Sequence, residues 1–466
     1  MPGQMALDPN IFRAYDIRGT VGESITPEVI GRIARALAGK LVAEGRPRVV
    51  VGRDLRPSSE ELCEAAAEGL VQSGCDVIDV GQVPIPLVYF AIGRWECDGG
   101  VGVTASHKPA EFNGMKLRVG EYPLYGEELG ALRAVAEAGE FREGSGCYER
   151  RDIYEEYFEV CAGKFSGDCD LRICLDLGNG CGTFNAPRLL RDIGCEVSTL
   201  FPEPDGSFPN RPPDPLEPGA LERLTAEVKA SGADLGMAID ADGDRLAVLD
   251  DRGEMISPDK YAIALCGHIL ESGPATFVSE VRCSQTTIDY VRERGGEVSL
   301  AACGYPFILA EMDEVCAALG FETTGHIFFD DPDVKFDDAA FCAANLAQAL
   351  SGQEASLREM MEEAPRYYTS EEERLECPDE VKFAVVADVV ETFRPDHEMN
   401  TVDGARISFE GGWGLIRASN TGEELVMRFE GRTEADRDEI AGEIRGAVVE
   451  AMMAHGVAKH RRTGQT

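Results

Sequence analysis

Ser106 closes a short run, Gly99-Gly-Val-Gly-Val-Thr-Ala105, and is followed at once by His107 and Lys108, with Lys116 a little further on. Val101 and Val103 alternate with small residues and predict a short buried strand that gives way to a polar loop over Thr104 to Pro109, beside an Asn113-Gly114 turn pair. A hydroxyl among local cations can act as a nucleophile or carry a phosphate, because cations and N–H donors favour the dianion. The competing reading is a connecting loop with a solvated serine.

A second group is more specific. Leu235-Gly-Met-Ala-Ile239 reads as a strand that runs straight into Asp240-Ala-Asp242-Gly-Asp244-Arg245. Three like charges at the end of an apolar strand are costly to bury unless a cation neutralises them, and a hard divalent ion with oxygen ligands does so. A calcium hand needs glycine and glutamate where Arg245 and Asp251 stand, so Mg²⁺ beside a phosphate fits better. The alternative is an acidic turn in water. A third group, Arg417-Ala-Ser419-Asn420-Thr421-Gly422, offers a guanidinium, two hydroxyls and an amide in one turn. That is either a phosphate cradle or a hydrogen-bonded turn without a ligand. Glu322-Thr-Thr324-Gly-His326 is compatible with an ordinary loop.

The elements that would position these groups alternate between strand and helix. Thr26-Pro27 caps a helix with Val29, Ile30, Ile33, Ala34 and Leu37 on one face. Arg48 to Gly52 and Val77 to Val80 are strands around a helix over Glu60 to Leu70. Residues 139–152 look like a linker, and the proline-rich residues 202–218 form a long loop. Leu177-Gly178-Asn-Gly180-Cys-Gly182-Thr183 has threonine where a dinucleotide fingerprint needs glycine, so it reads as a tight strand-to-helix turn. Strands over Thr276 to Val281 and near Val402 to Phe409, with a helix from Thr286 to Arg294, continue the pattern. Ligands in such α/β domains bind at the carboxyl ends of the strands.

At 466 residues the chain exceeds one ordinary core, and three or four domains are expected. A hydrophobic content of 44% and a charged content of 28% belong to a globular protein. The 15 cysteines form no C-x-x-C pair and are expected to be mostly small buried hydrophobes. A net charge of -39 repels polyanions, so neither nucleic acid nor an anionic membrane is an expected partner. An anionic substrate needs a local concentration of Arg and Lys. With no basic leader or membrane-length apolar run, a cytoplasmic location is expected.

The serine loop, the Asp-x-Asp-x-Asp-Arg loop and the Arg-x-Ser-Asn-Thr turn occur in that order, together with Tyr15 and Arg18, Gly52-Arg-Asp-Leu-Arg56 and the Glu322-to-His326 loop. In this combination the chain resembles the α-D-phosphohexomutase superfamily, and most of all its phosphomannomutase/phosphoglucomutase branch, from Phe12 to about Arg432. The resemblance implies three related α/β domains with mixed sheets between helices and a smaller α+β C-terminal domain, around a central active-site cleft. It places a phosphoserine domain at 1–150, a metal-binding domain at 151–254, a sugar-recognition domain at 255–367 and a phosphate-binding domain at 368–466. It implies interconversion of hexose 1- and 6-phosphates of mannose or glucose through a phosphoserine at Ser106 and a 1,6-bisphosphate. Hexose 1,6-bisphosphate would act as activator.

One Mg²⁺ would then sit with Asp240, Asp242, Asp244 and a phosphoserine oxygen. Arg18, Arg245 and Lys116 would neutralise the transferring group, while Lys116, His107 and His326 are the candidates for proton transfer. Tyr15, Glu322 and Thr324 would contact the sugar, and Arg417, Ser419, Asn420 and Thr421 the non-reacting phosphate, with closure of the last domain gating turnover. Departures from the family pattern are Lys108, Thr323-Thr324, Tyr305 and Gly422-Glu423. They fall in loops that would read the sugar, so phosphoglucosamine mutase and phosphopentomutase stay as rivals, and a non-catalytic sugar-phosphate binder as a different class.

Overall fold

The computed structural model describes residues 7–41, 47–353, 355–419 and 422–457. They fall into two compact units, Met1–Pro258 with Thr324–Arg358, and Asp259–Thr323 with Glu359–Thr466. In the first unit a mixed sheet is built from β1 (Ile17–Thr20), β2 (Arg48–Arg53), β3 (Asp76–Gln82), β4 (Gly99–Val103), β5 (Phe112–Val119), β6 (Tyr122–Pro123) and β7 (Tyr148–Arg150). Its order is β1-β5-β4-β2-β3-β7, with β6 paired to β5. The inner strands β2, β3 and β4 run parallel, and β5 turns back antiparallel to both β4 and β1. Val49, Val51, Val101 and Val103 are buried against the helices Pro27–Lys40 and Ser59–Gln72, whose Ile30, Ile33, Leu37, Leu62 and Ala66 complete the core. Each such aliphatic side chain removed from water contributes roughly 1.5–3 kcal/mol. Thr26 caps the first helix by accepting from the Val29 amide, with Pro27 in its first turn, as the sequence predicts.

Two local readings are corrected here. Asn113-Gly114 is not a turn but lies inside β5. Asn113 Nδ2 donates to the hydroxyls of Ser58 and Ser59, and a Cβ on Gly114 would stand 1.8 Å from the Ile17 carbonyl oxygen, so β1 can approach only over glycine. The presumed linker 139–152 contains β7, which extends the sheet parallel to β3.

The same unit holds a second sheet of β8 (Arg172–Asp176), β9 (Glu196–Leu200), β10 (Leu235–Ile239), β11 (Leu246–Leu249) and β12 (Met255–Ile256), in the order β12-β11-β10-β8-β9. The loop over 202–218 has no regular element, yet it is tied down. Buried Arg211 donates from Nε to Asp176 Oδ1 at 2.8 Å and from a terminal nitrogen to the Ile239 carbonyl at 2.6 Å. Gly178, at φ +52°, leaves room for this guanidinium, which a Cβ would meet at 2.4 Å. The glycine turn is therefore packing for the strand ends, as expected of a tight strand-to-helix turn.

In the second unit β13 (Thr276–Glu280) pairs in parallel with β14 (Glu297–Ala301) and β15 (Leu319–Phe321). The chain returns to the first unit for β16 (Ile327–Phe329) and the helix Ala339–Leu350, capped by Asp338. A C-terminal sheet follows, of β17 (Tyr368–Thr369), β18 (Glu373–Glu376), β19 (Met399–Asn400), β20 (Ala405–Phe409), β21 (Gly412–Ala418) and β22 (Glu424–Gly431). It is antiparallel throughout and covered by the helices Asp379–Phe393 and Glu434–Ala454. Arg417, read as part of a turn, is in fact near the end of β21.

Within this unit Glu430 joins the C-terminal sheet to the preceding block. Its fully buried carboxylate accepts from Ser284 Oγ at 2.6 Å, the Gln285 amide at 2.7 Å, Thr369 Oγ1 at 2.6 Å and Trp413 Nε1 at 2.7 Å. Arg406 donates to the carbonyls of Val281 and Cys283 beside it. Thirteen cysteines are buried, and Cys147 and Cys316 are exposed. Among the described residues no helix is long and apolar enough to cross a membrane.

Candidate active site

In the first unit β4 delivers Thr104 and Ser106 to a loop whose shape is imposed by one arginine. Arg56, 2% exposed, donates to the carbonyls of Ser106 (2.6 Å), Lys108 (2.5 Å), Pro109 (2.5 Å) and Phe112 (3.2 Å), and from Nε to Asp54 at 2.9 Å. Ser106 is itself buried and adopts φ +53°, a left-handed conformation that costs a non-glycine residue of order 1 kcal/mol and persists only where neighbours enforce it. Its amide donates to Thr104 Oγ1 at 2.8 Å, and its hydroxyl lies 3.1 Å from His107 Nδ1.

The aspartate loop meets this serine loop directly. Thr104 Oγ1 is 2.8 Å from Asp54 Oδ2 and 3.1 Å from Asp242 Oδ2. Lys116, projecting from β5, donates to Asp242 Oδ2 at 3.0 Å and pairs with Asp244. Oδ1 of Asp240 accepts the amides of Gly243, Asp244 and Arg245, which folds the loop around that carboxylate. Further main-chain bonds come from Ile85 to the Asp242 carbonyl and from Ala339 to that of Gly243. What remains is one oxygen on each aspartate, Asp240 Oδ2, Asp242 Oδ1 and Asp244 Oδ1, all buried and without a hydrogen-bond partner. The three side chains offer ligand atoms within 4.8 Å of one another. Burial, and then the charges of Asp244 and Asp242, push Asp240 well above the usual carboxylate range, whereas Lys116 holds Asp244 below it against burial. Converging buried acceptors with no donor fit a hard cation.

Arg245 donates from Nε to His326 Nε2 at 3.0 Å, and His326 Nδ1 lies 2.7 Å from Asp337 Oδ2. Burial lowers the proton affinity of this imidazole, but the carboxylates of Asp244 and Asp337 raise it above the ordinary histidine value. His107 is the opposite case: burial, followed by the cations Arg245, Arg18 and Lys108, keeps it neutral. Arg18, on β1, pairs with Asp16, and Tyr15 belongs to the charges felt by Arg245. Ser106, His107, Lys116, Arg18, Tyr15, Arg245, His326 and the three aspartates thus share one unit.

In the second unit Glu322 is buried. Thr323 Oγ1 donates to Glu280 Oε2 at 3.1 Å, and Glu280, opposed by burial but stabilised by Arg282, has its carboxyl pulled down to about 2. The division between the units falls between Thr323 and Thr324. Arg417 Nε donates to Asp403 Oδ2 at 2.9 Å. Lys382 Nζ reaches the carbonyls of Ser419 (2.7 Å) and Gly422 (2.9 Å), and Ser419 Oγ accepts from the Gly422 amide. Asn420 and Thr421 lie outside the described residues.

Sequence reasoning missed the residues that hold these loops. Arg56 and Asp54 stand in the Gly52-to-Arg56 motif, and Thr104 opens the serine loop. Arg211 and Lys382 sit in stretches with no local signal, since their partners are distant in sequence, and Asp337 is one of several aspartates after His326 with nothing to single it out.

Comparison with known proteins agrees with this geometry. Models of the phosphoglucomutase/phosphomannomutase alpha/beta/alpha domains I, II and III match residues 9–142, 154–253 and 257–368, and that of the C-terminal domain matches 372–447. A phosphomannomutase/phosphoglucomutase of Pseudomonas putida is 37% identical over 438 residues, covering 93% of this chain and 94% of its own. A phosphoglucomutase of Neisseria meningitidis is 36% identical, covering 95% and 97%. The crystal structure of a phosphoglucomutase/phosphomannomutase family protein from Burkholderia thailandensis superposes with a TM-score of 0.89 at 34% identity, covering 96% of this chain and 98% of its own. A serine loop joined through Thr104 to a buried carboxylate trio, inside a chain matched by all four domain models, places this protein in the phosphoglucomutase/phosphomannomutase family.

Proposed function

We propose that this chain, a phosphohexomutase by family, interconverts the 1- and 6-phosphates of mannose, glucose or both through a phosphoserine at Ser106 and a hexose 1,6-bisphosphate. The observation that carries the reading is the set of three buried carboxylate oxygens beside the serine loop that accept no hydrogen bond. Asp240, Asp242 and Asp244 would hold one Mg²⁺, which when bound supplies positive charge to the phosphoryl oxygens. Arg18, Lys108 and Arg245 attract and orient the anionic group, work that phosphoryl transfer asks for more than it asks for covalent chemistry.

Lys116 is an ammonium shared by two aspartates, so as it stands it donates rather than accepts a proton. Asp242 and Asp244, which share Lys116, are also among the residues that would hold the ion, so with their charge offset there the Lys116 ammonium would be available to the sugar hydroxyl. Neutral His107, beside the Ser106 hydroxyl, and His326, oriented by Asp337, are the other proton carriers. Glu322 and Thr324 contact the sugar, while Arg417 and Ser419, with Asn420 and Thr421, anchor the phosphate that is not being transferred. The functional blocks are 1–150, 151–254, 255–367 and 368–466, and a hexose 1,6-bisphosphate primes the serine.

The test is intact mass after incubation with glucose 1,6-bisphosphate. The wild type is expected to gain one phosphoryl group and Ser106→Ala none; an unphosphorylated wild type would instead favour a non-catalytic sugar-phosphate binder. Turnover on mannose, glucose, glucosamine and pentose 1-phosphates then fixes the sugar, and a marked preference for the amino sugar overturns the hexose assignment.

A further inference from the structure

Away from the serine and aspartate loops, the second unit contains a cleft of about 280 Å³. One wall is the face of the helix Gln285–Glu293 that carries Gln285, Asp289 and Arg292, and the other is the β20–β21 hairpin with Arg406 and Trp413. Tyr367 and Arg432 close it. The lining is one hydrogen-bonded chain. Arg432 bonds the Tyr367 hydroxyl, which donates to Asp289 Oδ2 at 2.6 Å; Gln285 Nε2 donates to Asp289 Oδ1 at 2.8 Å, and Gln285 Oε1 accepts from Arg406 at 3.0 Å. Both oxygens of Asp289 are thereby used. The Arg292 guanidinium has no hydrogen bond or ion pair among the described residues, and both Arg292 and Arg432 are exposed.

Three guanidinium groups against the carboxylates of Asp289 and Glu410 reverse the balance of a chain with 45 basic and 84 acidic residues. An unpaired guanidinium beside a second one makes a fork suited to a phosphate. At about 280 Å³ the cleft is also slightly smaller than the range of about 300–1,000 Å³ for small-molecule sites, which suits a compact anion.

We propose that this cleft is a second anion site, in which Arg292 and Arg432 grip a small phosphate-bearing ligand. Arg292 lies on the block matched by the third domain model and Arg432 on that matched by the C-terminal model, so the ligand ties the two together beside the Glu430 joint. β21 begins in the cleft at Gly412 and Trp413 and carries Arg417 near its other end, so a clamp on the first end adjusts how Arg417 and Ser419 are presented. The site regulates turnover without touching the reacting atoms.

The test uses full-length protein carrying Ser106→Ala and Arg417→Ala, with EDTA, probed with inorganic phosphate and with pyrophosphate at constant ionic strength. A rise in melting temperature over a sodium chloride control is expected. Adding Arg292→Ser and Arg432→Ser should weaken binding by about tenfold or more in titration calorimetry. No rise, or a rise indifferent to these two substitutions, overturns the site. In otherwise wild-type enzyme at saturating sugar phosphate, where competition at the reacting centre is overcome, phosphate should change kcat. The Arg292→Ser/Arg432→Ser enzyme should keep its basal kcat and lose that response, whereas a wild-type kcat indifferent to phosphate overturns the regulatory role. Because the binding arm needs no turnover, its failure is separate from failure of the mutase reading.

Discussion

Glu430 and the aspartate trio are both buried anionic sites at strand ends, and they are finished in opposite ways. Glu430 receives four donors from three separate segments, so no acceptor capacity is left over and the carboxylate acts as a joint. The trio has fewer hydrogen-bond donors than oxygens, with a lysine shared between two of its members and one oxygen on each that accepts no hydrogen bond, that of Asp244 being 3.8 Å from Arg245 and 3.9 Å from His326. Protein interiors rarely tolerate such orphans, because each costs about 1–3 kcal/mol or more when charged. A fully satisfied buried carboxylate therefore marks architecture, and a converging set of unsatisfied ones marks a place kept for a ligand.

The contrast can be broken most forcefully at Lys116. Lys116→Met should destabilise the metal-free protein by about 3–5 kcal/mol, the usual consequence of stranding buried charge, and added Mg²⁺ should restore more of the melting temperature than it adds to the wild type. Equal responses to Mg²⁺ in the two proteins would mean that the lysine and the ion do not share the carboxylates. Next in size is Asp242→Asn, expected to lower mutase turnover by about 10²–10³-fold with a melting temperature unchanged or higher, since a like charge is removed; turnover near the wild-type value would refute the metal assignment. Glu430→Gln presents an amide to two of the four donors and should cost about 1–3 kcal/mol, with Mg²⁺ affinity unaltered. A shift in that affinity would show that the joint and the cation site are not independent. The smallest effect is expected for Arg56→Lys, which keeps the charge but loses the fork. About 1 kcal/mol of stability and a slower phosphorylation of Ser106, read by intact mass, should follow, and an unchanged phosphorylation rate would detach the clamp from function.

Much of this was readable before any fold was known. Strands β2 and β8 were legible because buried parallel strands are rich in Val, Ile and Leu, and β4 and β10 because apolar residues there are separated only by small or apolar ones. The aspartate loop was legible because its three carboxylates are close in sequence. Asn113-Gly114 misled because a turn dipeptide and a glycine demanded by a neighbouring strand look alike until Ile17 is in place. Arg56, Arg211 and Lys382 were invisible as positioning groups, since each acts on main-chain carbonyls, which carry no residue identity. The four domain blocks were suggested by order of motifs alone, yet Glu430 unites the last two through a contact that no sequence interval encodes.

The grip of Arg56 has a consequence for the phosphorylation proposed at Ser106. Every bond it makes to the loop falls on the peptide backbone, and none on the side chain of residue 106. The hydroxyl can thus gain or shed a bulky dianion while the loop keeps a single shape, so each catalytic cycle begins from the same geometry and no refolding of the loop is charged against the rate.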